Sequence, residues 1–360
     1  MSPTKAGAEK RVAAFRKRCR KWLGRSVRKM SALQEHRVAW LAALPLLVYF
    51  LWMDVALYYR VQSVHLVGGD HPAAAAAGLF SPFTGLSVKL IMMDHVNNYV
   101  HSPLADLFNQ VTRFSEVFYF ITPNLISLAG VLSALAAAKV VTVDTMAMQR
   151  CAVLLMSLRA WFDALDGLVA RARMGLIRHM SIRETSGYLV DGIADTIGFT
   201  LFLVGCFFYL RRKLPVTKHY LPIADPGTEK GTTVLSTFPV IPNPMKRIIV
   251  VLLCFGLQMA VSCLFWDRYI NAYHILLETA TSPAKEEAQS QVLRSSMMWI
   301  IMWFWKLCNA HALMQMFLFA IFIGRMWEFL VWIQYVGYVV LGILITFTEV
   351  HLNTARTYLT

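Results

Sequence analysis

The chain has 360 residues, 57% of them hydrophobic, a mean hydropathy of +0.51 and a formal net charge of +14. Its apolar residues come in unbroken runs rather than the interrupted stripes of soluble helices, which excludes an ordinary soluble domain and indicates a membrane protein. The six cysteines, Cys19, Cys151, Cys206, Cys254, Cys263 and Cys308, offer neither a disulfide pair in a polar loop nor zinc-ligand spacing, so they say nothing about redox compartment.

Residues 1–37 form a basic arm with twelve Lys or Arg against Glu9 and Glu35. Such an arm reads as a cytosolic topology signal held near anionic lipid headgroups, in preference to a nucleic-acid contact. The first apolar run begins at Val38 with no small-residue cleavage pattern after it, so the expectation is a retained anchor. A hydrocarbon core about 30 Å thick needs about 20 apolar residues per helix. Seven stretches approach that, near 38–59, 121–141, 150–171, 187–210, 247–266, 297–322 and 328–349. Six is the alternative count, because Lys306, His311, Arg325 and Glu328 interrupt the last two.

Residues 60–103 read mostly as a linker, with Gly68-Gly69 and an alanine run at 73–77. From Leu104 the pattern changes: Leu104, Leu107, Phe108, Val111, Phe114 and Phe118 recur at helical spacing with polar residues between them. This predicts a helix lying in the membrane interface, and a helix packed on another protein surface would give the same pattern. Loop 211–246 contains Pro215, Pro222, Pro226, Pro242 and Pro244 among its residues and is expected to be irregular, and 351–360 reads as a C-terminal tail.

Loops rich in Lys and Arg stay in the cytosol. The arm therefore puts the N-terminus there, and seven spans thread the seven basic residues of 211–247 to the same side. Segment 60–119 holds three basic residues against four acidic ones, and 267–295 has the same ratio, which suits the opposite face.

Within the third span the sequence reads Asp163-Ala-Leu-Asp166-Gly167-Leu-Val-Ala170-Arg171, and the fourth opens Gly187-Tyr-Leu-Val-Asp191-Gly192-Ile-Ala-Asp195. Residues three and four apart share a helix face, so each span offers a carboxylate pair, and the short segment 172–186 returns both pairs to one membrane face. A lone acid such as Asp54 reads as a snorkelling or paired structural residue. Four clustered carboxylates repel one another and lose hydration, which points to neutralising cations or a wet cavity. Oxygen-only ligation suits magnesium or manganese rather than zinc. Gly167 and Gly187 leave room for a bulky nucleotide diphosphate, and Arg171 presents planar donors suited to phosphate oxygens.

This constellation resembles the CDP-alcohol phosphotransferase family, whose motif D-x2-D-G-x2-A-R-x8-G-x3-D-x3-D is matched at every fixed letter from Asp163 to Asp195. The spacer 172–186 is longer than the motif's, and its Arg173, Arg178, His179 and Arg183 suit either phosphate binding or a solvated loop. Pro123-Asn124 is similar to a proline-asparagine signature of the same family. The resemblance implies an all-α polytopic fold over 104–350, with an interfacial helix and a six-helix core, preceded by one extra transmembrane helix at 38–59. It also implies that Asp163, Asp166, Asp191 and Asp195 hold two divalent ions, manganese or magnesium, with Asp195 as ligand, general base or both. Gly167, Arg171, Gly187 and Asn124 become candidate contacts to nucleotide or phosphate. Members often form homodimers.

The extra crossing moves the site to the lumenal side. A lumenal site, a long spacer and this length together resemble the insect-type ceramide phosphoethanolamine synthases of the Golgi, which implies CDP-ethanolamine as donor, ceramide as acceptor, and ceramide phosphoethanolamine and CMP as products. The motif itself does not choose the acceptor. A choline or ethanolamine phosphotransferase acting on diacylglycerol, or another CDP-alcohol phosphatidyltransferase, would carry the same acids. An ion-coupled transporter is the reading from another class, since intramembrane acids also mark ion paths.

Overall fold

A computed structural model describes residues 41, 43–63, 86–175, 186–214, 244–279 and 282–359. The basic arm, residues 64–85 of the linker, Arg178, His179 and Arg183 of the spacer, and the proline-rich stretch 215–243 lie outside the described residues. All regular structure among the described residues is helical.

The chain divides into two units, Met1–Val55 and Ala56–Thr360. Helix α1 (Ala43–Ser63) begins in the first, where Leu44, Leu47, Val48, Leu51 and Trp52 are exposed apolar side chains suited to lipid. Its end lies in the second unit, with Leu57 and Val61 buried, Tyr58 edge-on to Trp299 and Gln62 donating to the Arg294 carbonyl.

The remaining helices are α2 (Val88–Met92), α3 (Ser102–Thr112), α4 (Phe114–Val117), α5 (Pro123–Val141), α6 (Met146–Met174), α7 (Ser186–Lys213), α8 (Pro244–Leu277), α9 (Pro283–Arg294), α10 (Ser296–Cys308), α11 (Ala310–Phe322) and α12 (Met326–Leu359). Among the described residues five helices are long and apolar enough to cross a membrane: α1, α5, α7, α8 and α12. The chain is an all-α polytopic membrane protein. Helices α8 and α12 have 34 residues each. At 1.5 Å per residue each is about 51 Å long, well beyond the hydrocarbon thickness, so their ends stand outside it.

Local chemistry sets the helix ends. Thr122, Thr145, Ser282, Ser295 and Asn309 each accept a backbone N–H with the side chain as N-cap, and Pro123 and Pro283 follow their caps in the first turn. Helix α6 stops at Gly175, whose φ of 68° is left-handed.

Two apolar cores share α8 and α12. One gathers α5, α6, α7, α8, α11 and α12 around Phe202, Phe255 and Phe317; the other gathers the end of α1, α2, α8, α10 and α12 around Tyr269, Tyr273 and Trp305. Small residues allow the closest approaches. A Cβ at Gly205 of α7 would lie 2.3 Å from the Ala138 carbonyl oxygen of α5, so the two backbones touch there.

Several boundaries differ from the sequence reading. The expected span 297–322 is two helices broken at Asn309, because the Asn309 side chain caps α11 with a 2.8 Å hydrogen bond from Ala312 N and ends the run of α10. The end of the supposed linker is ordered: α2, a π-helical turn at Asn97–His101 and the start of α3 occupy 88–103. The tail 351–360 is helical to Leu359 as the end of α12. The amphipathic helix is two helices, because Arg113 takes a left-handed φ of 49° and interrupts the run. Both readings of that helix meet here. Phe108 packs edge-on against Trp161 of α6 and Ala105 is fully buried, while Phe118, Tyr119 and Phe120 are exposed aromatics of the kind that sit at headgroup level.

Candidate active site

Helices α5, α6 and α7 pack side by side, and the end of α6 and start of α7 bring the acids together. One carboxylate oxygen from each of Asp163, Asp191 and Asp195 lies within 4.8 Å of the others. Three oxygens converging in this way form a donor set suited to a hard divalent ion. The fourth acid, Asp166, is buried beside them and accepts a short hydrogen bond from the Ser127 hydroxyl of α5. Between the acids, Ser127, Gly130 and Arg159 lies a gap of about 10 Å³, the size of a single water or ion.

The acids form the floor of a larger cavity of about 460 Å³, within the range of small-molecule sites. Its walls come from Lys89, Met93, Asp94 and Asn97 of the segment preceding α3, from Gly167 and Arg171 of α6, from Tyr188, Leu189, Ile193 and Ile197 of α7, from Cys263, Trp266 and Asp267 of α8, and from His311 of α11. Leu189, Ile193 and Ile197 are also among the exposed apolar residues. The cavity therefore continues onto a greasy face of α7.

Arg171, expected as a phosphate contact, lines this cavity. Gly167 lines it too, and its missing side chain makes room for Arg171: an added Cβ would come 3.2 Å from Nη1. Gly187 lies outside the lining, and an added Cβ there would meet nothing within 4 Å. Asn124 is exposed in the first turn of α5 and is absent from the walls of either cavity. Pro123 beside it serves the helix start. Arg173 of the spacer donates to the Tyr119 and Ile121 carbonyls and stacks over the Tyr119 ring, which ties the end of α6 to the turn before α5.

The sequence reading missed Arg159. It lies four residues before Asp163, is 3% exposed, and its Nη2 donates a short charge-assisted hydrogen bond to Asp195 Oδ1. Its guanidinium lies 4.3 Å over the Phe199 ring, and Gly198 of α7 leaves space for it, since an added Cβ would lie 3.0 Å from Nε. An arginine in an apolar run beside the acid motif was the available signal. His311 Nε2 lies 3.6 Å from Asp195 Oδ2, close but beyond hydrogen-bond distance.

Lys89 was counted only as a loop charge. Burial, and then the charge of Arg171, pushes its ammonium below the usual lysine range, opposed by Asp191, Asp163 and Asp267. Behind it Asp94 accepts hydrogen bonds from the Asn97 backbone and side-chain amides, at 3.0 and 2.9 Å, and Asn97 Oδ1 lies 2.7 Å from His101 Nδ1. Burial also lowers the His101 imidazole.

A family model described as ceramide phosphoethanolamine synthase matches residues 78–360. A Drosophila melanogaster protein named ceramide phosphoethanolamine synthase is 35% identical over 281 residues, covering 78% of this chain and 71% of that protein. No solved structure matches. The matched region contains the acid motif, the cavity and the ordered segment before α3, so the chain is a transferase and belongs to the ceramide phosphoethanolamine synthase family.

Proposed function

We propose that the chain transfers phosphoethanolamine from CDP-ethanolamine to the primary hydroxyl of ceramide, giving ceramide phosphoethanolamine and CMP. The observation that carries this is the convergence of Asp163, Asp191 and Asp195 on the floor of a cavity that presents Arg171 on one wall and opens along an apolar face of α7. A charged donor and a lipid acceptor need these two surfaces to meet. The family and the Drosophila relative support the choice of headgroup and acceptor.

Asp163, Asp191 and Asp195 would hold a divalent ion, with Asp166 beside them available for a second. Manganese or magnesium fits an all-oxygen donor set. When bound, the metal supplies neutralisation of phosphate charge.

The chain's own residues do the rest. Asp195 accepts the proton of the attacking ceramide hydroxyl as its oxygen bonds to the phosphorus carrying ethanolamine, and the bond from that phosphorus to the CMP oxygen breaks. Arg159 holds one oxygen of Asp195 and leaves the other toward His311, which fixes the carboxylate's direction. Arg171 faces the donor's phosphates from the cavity wall. Leu189, Ile193 and Ile197 guide the acyl chains in from the bilayer.

Charge distribution supports a cytosolic N-terminus and a lumenal site, and the ground for a Golgi location is the family resemblance. A tag after residue 180 is then protected when only the plasma membrane is permeabilised, and cleavage from the cytosol would reverse the orientation. The chemistry is tested by incubating purified protein and manganese with a panel of CDP-alcohols and lipid acceptors, with products read by mass spectrometry. Ceramide phosphoethanolamine is expected. Product from diacylglycerol alone would reject the acceptor, and absence of CMP release with every acceptor would reject the reaction.

A further inference from the structure

Helix α2 has five residues, and four of them, Val88, Leu90, Ile91 and Met92, are at most 1% exposed. The fifth, Lys89, lines the cavity above the acids. The segment that carries it is pinned at several points. Val88 N donates to Glu278 Oε1 at 2.6 Å, Trp266 Nε1 donates to the Met92 carbonyl at 3.0 Å, and Asn98 Nδ2 donates to the Leu90 carbonyl at 3.2 Å. Lys89 is thus a cation presented from a fixed backbone.

Its charged neighbours are Arg171, Asp191, Asp163 and Asp267. Among the described residues neither Lys89 nor Arg171 makes an ion pair or side-chain hydrogen bond, although both are partly buried and both line the same cavity. Lys89 feels the charges of Asp191, Asp163 and Asp267, and Arg171 those of Asp106 and Asp166, but neither cation is engaged in a direct ion pair, so both keep N–H donors free for an anionic ligand that enters the cavity.

We propose that Lys89 and Arg171 grip the diphosphate of the nucleotide donor in the cavity they share with the acids, with Lys89 a substrate-binding residue supplied from outside the acid motif. The proposal rests on the reading of the cavity as a site for a CDP-alcohol. Lysine suits this position as a compact point charge able to follow phosphate oxygens, and arginine complements it with a planar fork. The same pair binds CMP through its single phosphate, less tightly than the donor.

The test uses full-length purified protein. Binding of CMP and of CDP-ethanolamine is measured by calorimetry with saturating manganese, and binding of manganese alone is measured separately. Lys89→Met is expected to weaken both nucleotides by about 10-fold or more, the loss of one charge-assisted contact. Lys89→Arg should retain most of the affinity. Manganese alone should bind Lys89→Met as tightly as the unaltered protein, or more tightly, because a cation has been removed from beside Asp163 and Asp191. Unchanged CMP affinity in Lys89→Met overturns the proposal. Parallel loss of manganese and CMP binding in both variants also overturns it, since the side chain would then be supporting the fold. If the unaltered protein binds neither CMP nor CDP-ethanolamine, the nucleotide-site reading itself falls, a result separable from the others before any variant is made.

Discussion

Replacing Arg159 with methionine tests the electrostatic design of the site. Arg159 is 3% exposed and donates to Asp195, while Gly130, Ala134 and Gly198 leave the narrow channel it occupies. Methionine fills much of that channel, so the main loss is the guanidinium charge. Asp195 is then left in a poorly hydrated space close to Asp163 and Asp191. Removing one partner of a buried ion pair costs about 3–5 kcal/mol. At about 2–4 °C per kcal/mol, the scale for domains of 150–250 residues, the metal-free variant should melt about 6–20 °C lower. Manganese should recover more stability in the variant than in the unaltered protein, because its charge replaces the one removed and binding to the folded state adds to stability. Tryptophan fluorescence melts in detergent, with and without manganese, give the four numbers required. Equal metal-free melting temperatures, or an equal manganese gain in both proteins, would refute the argument that Arg159 neutralises the acid cluster.

Asp195→Asn keeps an oxygen to accept from Arg159 but loses the proton acceptor, so turnover should fall by about 10²–10⁴-fold. Near-normal turnover in a product assay would remove Asp195 as the base. Gly205→Ala places a methyl group 2.3 Å from the Ala138 carbonyl and forces α5 and α7 apart. A loss of about 1–3 kcal/mol is expected, against almost none for Gly342→Ala, where nothing lies within 4 Å; equal melts for the two would show that the α5–α7 contact yields freely.

The acid motif and the helices carrying it were legible because their information is local. Spacing of three and four residues sets a helix face, and a short return connection sets the membrane side. The parts that were not legible depend on distant contacts. Helix α2 has five residues, below any length at which periodicity is informative, and is held by Trp266 and Glu278 of a segment 174 and 190 residues away. Ser127 has no visible role until α5 lies against α6 and its hydroxyl reaches Asp166. The break at Asn309 was masked by apolar residues on both sides, since a cap is one polar residue and hydropathy averages over many. Asn124, a candidate nucleotide contact through its resemblance to a proline-asparagine signature, is exposed in the first turn of α5 and lines neither cavity.

The motif writes its four aspartates as two similar pairs, yet the fold makes each pair unequal. All four line the cavity, but in α6 Asp166 is held by Ser127 and in α7 Asp195 is held by Arg159. One acid in each helix is therefore oriented by a hydrogen-bond donor from elsewhere in the protein, while Asp163 and Asp191 lie close to each other. This division follows from packing, because α5 supplies Ser127 and the small residues beside which Arg159 crosses from α6 to α7. Four mobile carboxylates would bind cations in many arrangements. Two fixed by hydrogen bonds narrow the arrangements open to the remaining two, in the cavity that Arg171 and Lys89 also line, and it is this restriction that turns a charged cluster into a site with direction.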